Sequence, residues 1–189
     1  MITAILVNWK RTQHLPKIIA SLPKVERIIV WNNGARLLIP GVTVINSPTN
    51  QYCYGRHLAA VETEYVITQD DDCIVRNWGQ ILAVSASCPD RVVANLKPWH
   101  LSTNQRRHWG PCHEVLLGWG SCFPKRVEER SLKKYTDTYG VTKTLIRESD
   151  RIFTIACQKE HIVLPAKTVD LEGSQDKEIA LHCAEARSF

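Results

Sequence analysis

The chain has 189 residues and a formal net charge of +5 at pH 7, and 44% of its residues are hydrophobic. These values fit one globular domain with a full core, and they exclude a disordered or fibrous chain. So small an excess of positive charge suits an anionic ligand without establishing nucleic-acid binding. The seven cysteines are odd in number and include no C-x-x-C pair, so we expect free thiols in a reducing compartment such as the cytoplasm. No apolar run approaches the length of a membrane span.

Four short apolar runs in the first half of the chain predict strands that are buried in a parallel sheet. They lie at residues 3–7, 25–31, 42–45 and 65–68. Helices are predicted after Thr12, at 56–62 and from Trp78 onward, where apolar residues recur at helical spacing. This alternation of strands and helices indicates an α/β domain with a mostly parallel central sheet.

The second half of the chain is less regular. Strands are predicted at 92–96, 115–117 and 162–164, and helices at 124–134, after Ser149 as a capping residue, and at 176–186 in the tail. No repeat, low-complexity tract or linker marks a boundary, so we expect residues 1–189 to form a single domain.

Polar residues follow the ends of the four strands predicted in the first half. Because the carboxyl ends of parallel strands meet at one edge of a sheet, these residues should face the same crevice, where open α/β sheets bind ligands. The four groups are Asn8 with Arg11, Asn32 with Asn33, Asn46 with Asn50, and Asp70 to Asp72.

Asp70, Asp71 and Asp72 are three consecutive carboxylates, which repel one another unless a cation neutralises them. Oxygen ligands of this kind suit a hard divalent ion such as Mg²⁺ or Mn²⁺, which substrate phosphates commonly help to hold. A solvated acidic turn is the alternative. Their place at the end of a strand favours the metal site.

Nine short segments, taken in chain order, resemble the motifs of a glycosyltransferase family. They are residues 8–12 (NWKRT), 29–33 (IVWNN), 49–56 (TNQYCYGR), 66–72 (VITQDDD), 100–103 (HLST), 117–123 (LGWGSCF), 149–152 (SDRI), 170–172 (DLE) and 182–185 (HCAE). Together they resemble the exostosin C-terminal glycosyltransferase domain. The resemblance implies a single-domain GT-A (nucleotide-diphospho-sugar transferase) fold, Rossmann-like, with helices flanking the sheet. It also implies a metal-dependent enzyme with a D-x-D motif that moves a hexosyl or N-acetylhexosaminyl group from a UDP-sugar to a hydroxyl acceptor, with retention of configuration.

By this resemblance, residues 1–95 bind the nucleotide sugar. Asp72, with Asp70 and His182, is expected to hold Mn²⁺ or Mg²⁺ at the diphosphate, while Asp71 or Asp70 touches ribose or sugar. His182 could instead bind the diphosphate directly. The other expected donor contacts are Arg11 and Arg56 at diphosphate or sugar oxygens, and Asn32, Asn33 and Asn50 at uracil, ribose or sugar. Plain surface arginines and turn-forming asparagines are the alternatives.

Asp150 matches the aspartate of a motif that precedes a helix in that family, and it is the candidate catalytic residue. Glu148 takes this role if the alignment shifts. A carboxylate near the anomeric carbon can stabilise oxocarbenium-like charge, orient the acceptor hydroxyl or accept its proton. The helix dipole alone also favours an acidic residue in a first turn.

Residues 96–189 are expected to bind the acceptor and to close the site through the tail. The candidate acceptor residues are Trp99, His100, Arg106, Arg107, Trp109, Gly118 and Trp119. Tryptophan faces stack on sugar rings or on bases, and arginines attract phosphates. A carbohydrate or other hydroxyl acceptor is favoured over a hydroxylated base in DNA, because the net charge is small.

Two other classes of protein stay open. A metal-dependent nuclease or phosphotransferase would also use clustered aspartates, but no P-loop and no obvious second acidic cluster accompany them. A nonenzymatic nucleic-acid module would explain the basic and aromatic stretch at 97–109 and leave the aspartates without a purpose. A zinc site at His108, Cys112 and His113 matches no standard ligand spacing.

Overall fold

A seven-stranded sheet forms the centre of the computed structural model, which describes residues 1–96, 117–157 and 161–171. The strands are β1 (Ile2–Asn8), β2 (Arg27–Asn32), β3 (Thr43–Asn46), β4 (Tyr65–Asp70), β5 (Cys73–Val75), β6 (Val92–Leu96), β7 (Ser121–Pro124), β8 (His161–Pro165) and β9 (Thr168–Asp170). The order across the large sheet is β3-β2-β1-β4-β7-β6-β8, while β5 and β9 form a separate antiparallel pair.

The strands that carry the polar ends run parallel and finish at one edge of the sheet. Strand β1 pairs in parallel with both β2 and β4, and β2 pairs in parallel with β3. Asn8 lies opposite Asn32, Asn32 lies opposite Asn46, and Val7 lies opposite Asp70. Strand β7 is antiparallel to its neighbours β4 and β6, and β8 is parallel to β6. The prediction of a mostly parallel sheet in an α/β domain is therefore confirmed.

Helices and short 3₁₀ turns cover the sheet and connect its strands. The helices are α1 (Leu15–Ser21), α2 (Gly55–Leu58), α3 (Trp78–Ser87), α4 (Lys125–Tyr139), α5 (Lys143–Arg147) and α6 (Ser149–Ala156). The 3₁₀ turns span Thr12–His14, Tyr52–Tyr54 and Leu117–Trp119. Helix α4 follows Pro124 and ends at Gly140, whose φ of 70° suits glycine. In the described part of the chain, no helix is long and apolar enough to cross a membrane.

Both faces of the sheet are buried, which explains the continuous apolar runs of its strands. Side chains of successive strand residues point to opposite faces, and Ala4 and Ile5 of β1 belong to different core clusters. Ile5 packs in a cluster with Phe153 of α6, whereas Ala4 packs in a cluster with Ile81 of α3. Helix α6, which carries Asp150 in its first turn, is thereby packed against one face of the sheet.

Several elements differ from the sequence-based expectation. Strand β4 continues through Asp70, and the helix expected at 56–62 ends at Leu58. Ser149 is the first residue of α6, and Glu148 is the capping position, without a side-chain hydrogen bond to the helix. Of the expected strand at 115–117, only Leu117 is described, and it lies in a 3₁₀ turn, whereas the strand forms at β7 instead. The expected helix at 176–186 lies outside the described residues.

Candidate active site

Asp70, Asp71 and Asp72 form an acidic turn at the end of β4. Asp71, its middle residue, connects this turn to the loop after β1. Asp71 accepts hydrogen bonds from the backbone N–H of Trp9 at 2.9 Å and from Arg11 Nη1 at 2.9 Å. Its backbone carbonyl lies 2.9 Å from His14 Nδ1. Burial raises the pKa of Asp71 above its ordinary value, and the Trp9 N–H and the Arg11 charge act against that rise. Both Asp71 and Arg11 are buried, so in this geometry they serve to fix the turn.

Arg56 joins the acidic turn to the candidate catalytic residue. Its guanidinium donates to Asp70 Oδ1 at 2.6 Å, and its Nε lies 3.4 Å from Asp150 Oδ1. The Arg56 side chain is 0% exposed, and it also donates to the Cys53 carbonyl and the Thr68 hydroxyl. Burial by itself lowers the pKa of a guanidinium, but Asp150 and Asp70 together raise the pKa of Arg56 above its ordinary value. Two carboxylates 80 residues apart thus share one permanent cation.

Asp150 lies in the first turn of α6, with its carboxylate held from two sides. Oδ2 accepts a hydrogen bond from the backbone N–H of Leu117 at 3.1 Å, while Oδ1 faces Arg56. The side chain is 11% exposed. Burial raises the pKa of Asp150 above its ordinary value, although the Arg56 charge acts in the opposite direction. A nearly buried, oriented carboxylate of raised pKa is typical of functional sites.

Gly118 is needed for this arrangement because Asp70 occupies the space where a side chain would stand. A Cβ atom on Gly118 would lie 2.0 Å from Asp70 Oδ2. The following Trp119 packs against the core, and its carbonyl accepts a hydrogen bond from Asn95 Nδ2 at 2.9 Å. The turn at Leu117–Trp119 therefore contacts both carboxylates that Arg56 joins.

The asparagines at the strand ends form a network of their own. Asn8 donates to Asn32 Oδ1 at 2.7 Å, and Asn32 donates to Asn46 Oδ1 at 2.8 Å and to the Ala35 carbonyl at 2.7 Å. Asn46 in turn exchanges two hydrogen bonds with the backbone of Leu37. Asn32 is fully buried, so its amide holds loops together in this geometry.

Asn33 and Asn50 shape the loop that precedes Arg56. Asn33 Oδ1 accepts from Gln51 N at 2.8 Å and from Trp31 Nε1 at 3.2 Å, and its Nδ2 donates to the Tyr52 carbonyl at 3.0 Å. Asn50 Oδ1 accepts from Tyr52 N at 2.8 Å. Tyr52 has a φ of 50°, a left-handed conformation that costs a non-glycine residue about 1–2 kcal/mol. The two asparagines hold this strained residue, which is the first of the 3₁₀ turn that leads to Arg56.

Three charged or titratable residues behind Asp150 were not predicted from the sequence. His57 Nδ1 lies 2.7 Å from Glu128 Oε1, and His57 Nε2 lies 3.9 Å from Asp150 Oδ1. Lys125 donates to the other oxygen of Glu128. His57 could have been suspected as the neighbour of Arg56, but nothing in the sequence connects it to a residue of α4.

The remaining predicted residues divide into described and undescribed ones. Asp72 is half-buried, and its carbonyl accepts from Leu171 N at 2.8 Å, so the chain after β9 lies against the acidic turn. Glu148 pairs with Arg151 of its own helix at 3.1 Å. Within the described ranges, no three His, Cys, Asp or Glu side chains cluster as a complete metal site. The predicted residues that lie outside the described part of the chain are Trp99, His100, Arg106, Arg107, Trp109 and His182.

The architecture is that of the nucleotide-diphospho-sugar transferase fold, or GT-A fold, as comparison with solved structures shows. Staphylococcus aureus TarS, residues 1–349, matches with a TM-score of 0.59 and 14% identity over 98% of this chain and 65% of that chain. The galactosyltransferase LgtC, in complex with donor and acceptor sugar analogs, matches with a TM-score of 0.54 and 12% identity over 86% of this chain and 73% of that one.

A nucleotidyltransferase shares this architecture. The 2-C-methyl-D-erythritol 4-phosphate cytidylyltransferase of Thermus thermophilus matches with a TM-score of 0.58 and 16% identity over 99% of this chain and all of that one. No protein-family model and no curated protein sequence matches the chain. The chain spans less than two thirds of the TarS fragment, and 39% of the longer TarS chain. Likenesses at this level of identity establish the fold.

Proposed function

We propose that the protein is a metal-dependent glycosyltransferase that moves a hexosyl or N-acetylhexosaminyl group from a UDP-sugar to a hydroxyl acceptor. The observation that carries the proposal is the Arg56 bridge, which places Asp70 of the acidic turn and Asp150 of α6 around one buried cation. This pair lies where the parallel strands end, which is where sheets of this class bind ligands. The GT-A fold and the galactosyltransferase among its structural neighbours favour sugar transfer.

The acidic turn fits a divalent metal ion. Because Asp71 turns toward Arg11 and the Trp9 N–H, Asp70 and Asp72 supply the oxygen ligands in this proposal. The Asp70 side chain is 40% exposed, so a substrate diphosphate has access to it. Proteins usually bind Mg²⁺ through one or two carboxylates, and substrate phosphates complete its coordination. When bound, Mn²⁺ or Mg²⁺ supplies positive charge that stabilises the departing diphosphate. His182 stays a predicted further ligand.

Asp150 is the catalytic residue in this proposal. Its carboxylate stabilises the positive charge that develops on the anomeric carbon as the bond from this carbon to the diphosphate oxygen breaks. The acceptor oxygen forms the new bond to the anomeric carbon, and the proton of the acceptor hydroxyl leaves with the diphosphate. Retention of configuration follows when the acceptor attacks from the side of the leaving group. Arg56 holds Asp150 in place, and its charge opposes the rise in the pKa of Asp150 that burial causes.

The acceptor side of the proposed site begins at the turn containing Gly118 and Trp119. This turn contacts Asp70 and Asp150, whereas the loop after β1 contacts Asp71. A carbohydrate or another hydroxyl compound is the acceptor we favour, and a hydroxylated DNA base is the alternative.

In the described part of the chain the five cysteines are free thiols, which suits the reducing compartment expected from the sequence.

Calorimetric titration with UDP, in Mn²⁺ and again in EDTA, tests the donor assignment, with GDP, ADP, CDP, CTP and dTTP as comparators. Selective UDP binding that requires the metal is expected. Asp72→Asn should abolish this binding, whereas the control Asp137→Asn, an exposed aspartate on α4, should leave it unchanged. Preference for CTP or dTTP over UDP would indicate nucleotidyl transfer instead. Binding of no nucleotide under either condition would refute the proposal, and salt-sensitive DNA binding that survives chelation would replace it with a nucleic-acid module.

A further inference from the structure

A row of buried polar groups leads from helix α4 toward Asp150, hydrogen-bonded as far as His57 and separated from Asp150 by 3.9 Å. Lys125 Nζ donates to Glu128 Oε2, and Glu128 Oε1 faces His57 Nδ1 at 2.7 Å. The opposite nitrogen of the imidazole, Nε2, is directed toward Asp150 Oδ1 at 3.9 Å. The row therefore begins at the partly exposed Lys125 and ends at an imidazole nitrogen 3.9 Å from the carboxylate assigned to catalysis.

Burying these polar and charged groups costs free energy, so we expect them to have a role beyond packing. The Glu128 side chain is 1% exposed and the His57 side chain is 0% exposed. The His57 ring is surrounded by aromatic rings, with the Phe153 centroid at 5.6 Å and the Tyr54 centroid at 6.1 Å. A charged group in such surroundings is retained only when it is paired and hydrogen-bonded. An apolar side chain would pack there at lower cost.

Glu128 is held in its charged form. Burial opposes that form, but the hydrogen bond from His57 and the charge of Lys125 outweigh burial and lower the pKa of Glu128 below its ordinary value. Because a charged Glu128 can only accept, His57 Nδ1 is the donor of the 2.7 Å hydrogen bond, and this bond orients the ring.

We propose that Glu128 and His57 are positioning residues that hold the Asp150 carboxylate in its working orientation, an inference that rests on the proposed function. Three other charged groups face the row. Arg56 contacts Asp150 Oδ1, Asp70 is paired with Arg56, and Lys125 is paired with Glu128. Arg56 and His57 are neighbours on α2, and both face the same oxygen of Asp150, at 3.4 Å and 3.9 Å. The contact with His57 is an ion pair when the ring carries a proton on both nitrogens.

Amide hydrogen exchange of Leu117, followed by NMR on the full chain, tests the positioning without any substrate. The Leu117 N–H donates to Asp150 Oδ2 at 3.1 Å, so a displaced Asp150 exposes this amide to water. Glu128→Gln keeps the size of the side chain and removes its charge, and Glu129→Gln, on the exposed face of the same helix, is the matched control. We expect Glu128→Gln to speed exchange at Leu117 about tenfold or more, with core amides such as Ile5 unchanged. Exchange at Leu117 equal to that of the control would overturn the inference.

His57→Asn serves as the second variant, in case Glu128→Gln does not fold. The Asn amide takes the place of Nδ1 toward Glu128 and loses the contact with Asp150, so exchange at Leu117 should again rise. Unchanged exchange in a folded His57→Asn protein would overturn the inference in the same way.

Steady-state kinetics with UDP-sugar separates positioning from general stability. In both variants kcat should fall roughly tenfold to a hundredfold, the range seen when a supporting partner of a site residue is removed, while KM for the donor stays within twofold of wild type. Variants that lose thermal stability but keep kcat would show a structural role only and overturn the inference. A wild-type protein with no transfer activity contradicts the proposed function, and the exchange result at Leu117 then decides the positioning claim by itself.

Discussion

Replacement of Arg56 by methionine is the most informative perturbation of this site. The methionine side chain would fill much of the same buried volume but would remove the one cation that Asp70 and Asp150 share. Asp150, with its side chain 11% exposed, would then lose this compensating charge while it has little access to water. Asp70 is 40% exposed, so water can solvate its carboxylate when the guanidinium is removed.

The expected size of the effect follows from these two exposures. Removing one partner of a buried ion pair costs about 3–5 kcal/mol, because the other charge stays buried without compensation. The pair with Asp70 adds at most about 1 kcal/mol, because water reaches that carboxylate. Arg56→Met should therefore lower the free energy of unfolding by about 4 kcal/mol, which is a large part of the roughly 5–15 kcal/mol typical of a domain.

Urea denaturation of the single and double variants measures this effect. Adding Asp150→Asn to Arg56→Met removes the stranded charge, so the double variant should recover about 2 kcal/mol relative to Arg56→Met. Arg126→Met, which alters an exposed arginine paired with Asp90 and Glu64, is the control and should change stability little. The reasoning is refuted when Arg56→Met costs less than about 1 kcal/mol, or when Asp150→Asn brings no recovery.

Three further predictions concern the surroundings of this pair. Gly118→Ala should push Asp70 away from Arg56, since the new Cβ would lie 2.0 Å from Asp70 Oδ2. We therefore expect metal-dependent UDP binding to weaken at least tenfold. Equal affinity in Gly118→Ala and in the control Gly79→Ala would contradict this expectation. Asn33→Ala loses hydrogen bonds to Trp31, Gln51 and Tyr52 and should cost about 2–3 kcal/mol in urea denaturation, so a loss below about 1 kcal/mol would argue against the loop-holding role. Because the pKa of Glu128 is lowered in the folded state, its stabilisation is present above the ordinary value of 4.5 and is lost as pH falls through the lower folded pKa. Melting temperature should therefore drop more steeply below pH 4.5 for wild type than for Glu128→Gln, and parallel curves would exclude that contribution.

The strands and their common edge could be predicted because burial leaves a local pattern. A strand covered on both faces must be apolar throughout, so runs such as residues 3–7 and 65–68 stand out in the sequence. Parallel pairing then places Asn8, Asn32 and Asp70 at one edge without further information. Strands β5 and β9 left no such pattern, because each has three residues and their partners lie far apart in the chain.

The roles of individual polar residues could not be read in the same way. An asparagine at the end of a strand can bind a ligand or hold a loop, and only the observed partners of Asn32 and Asn33 distinguish the two. Arg56 carries the same ambiguity, because the local sequence does not show whether an arginine is buried between two carboxylates, as here, or exposed on the surface. The predicted contacts of these residues with a nucleotide sugar stay predictions.

Long-range pairing accounts for the rest of what the sequence did not reveal. His57 and Glu128 meet only because α2 and α4 pack on the same side of the sheet, and their separation of 71 residues has no periodic signal. The need for glycine at position 118 likewise depends on the place of Asp70, 48 residues earlier, and not on any turn that the local sequence encodes.

Release of UDP from UDP-sugars, followed by ³¹P NMR in the presence of Mg²⁺, tests the central claim most directly. The wild-type protein should release UDP from at least one UDP-hexose or UDP-N-acetylhexosamine, with water as acceptor when no other hydroxyl is present. Asp150→Asn should bind the same donor with unchanged affinity and release UDP at least a hundredfold more slowly. Equal rates of release in the two proteins would contradict the assignment of Asp150, and no release by wild type from any UDP-sugar offered would contradict sugar transfer itself.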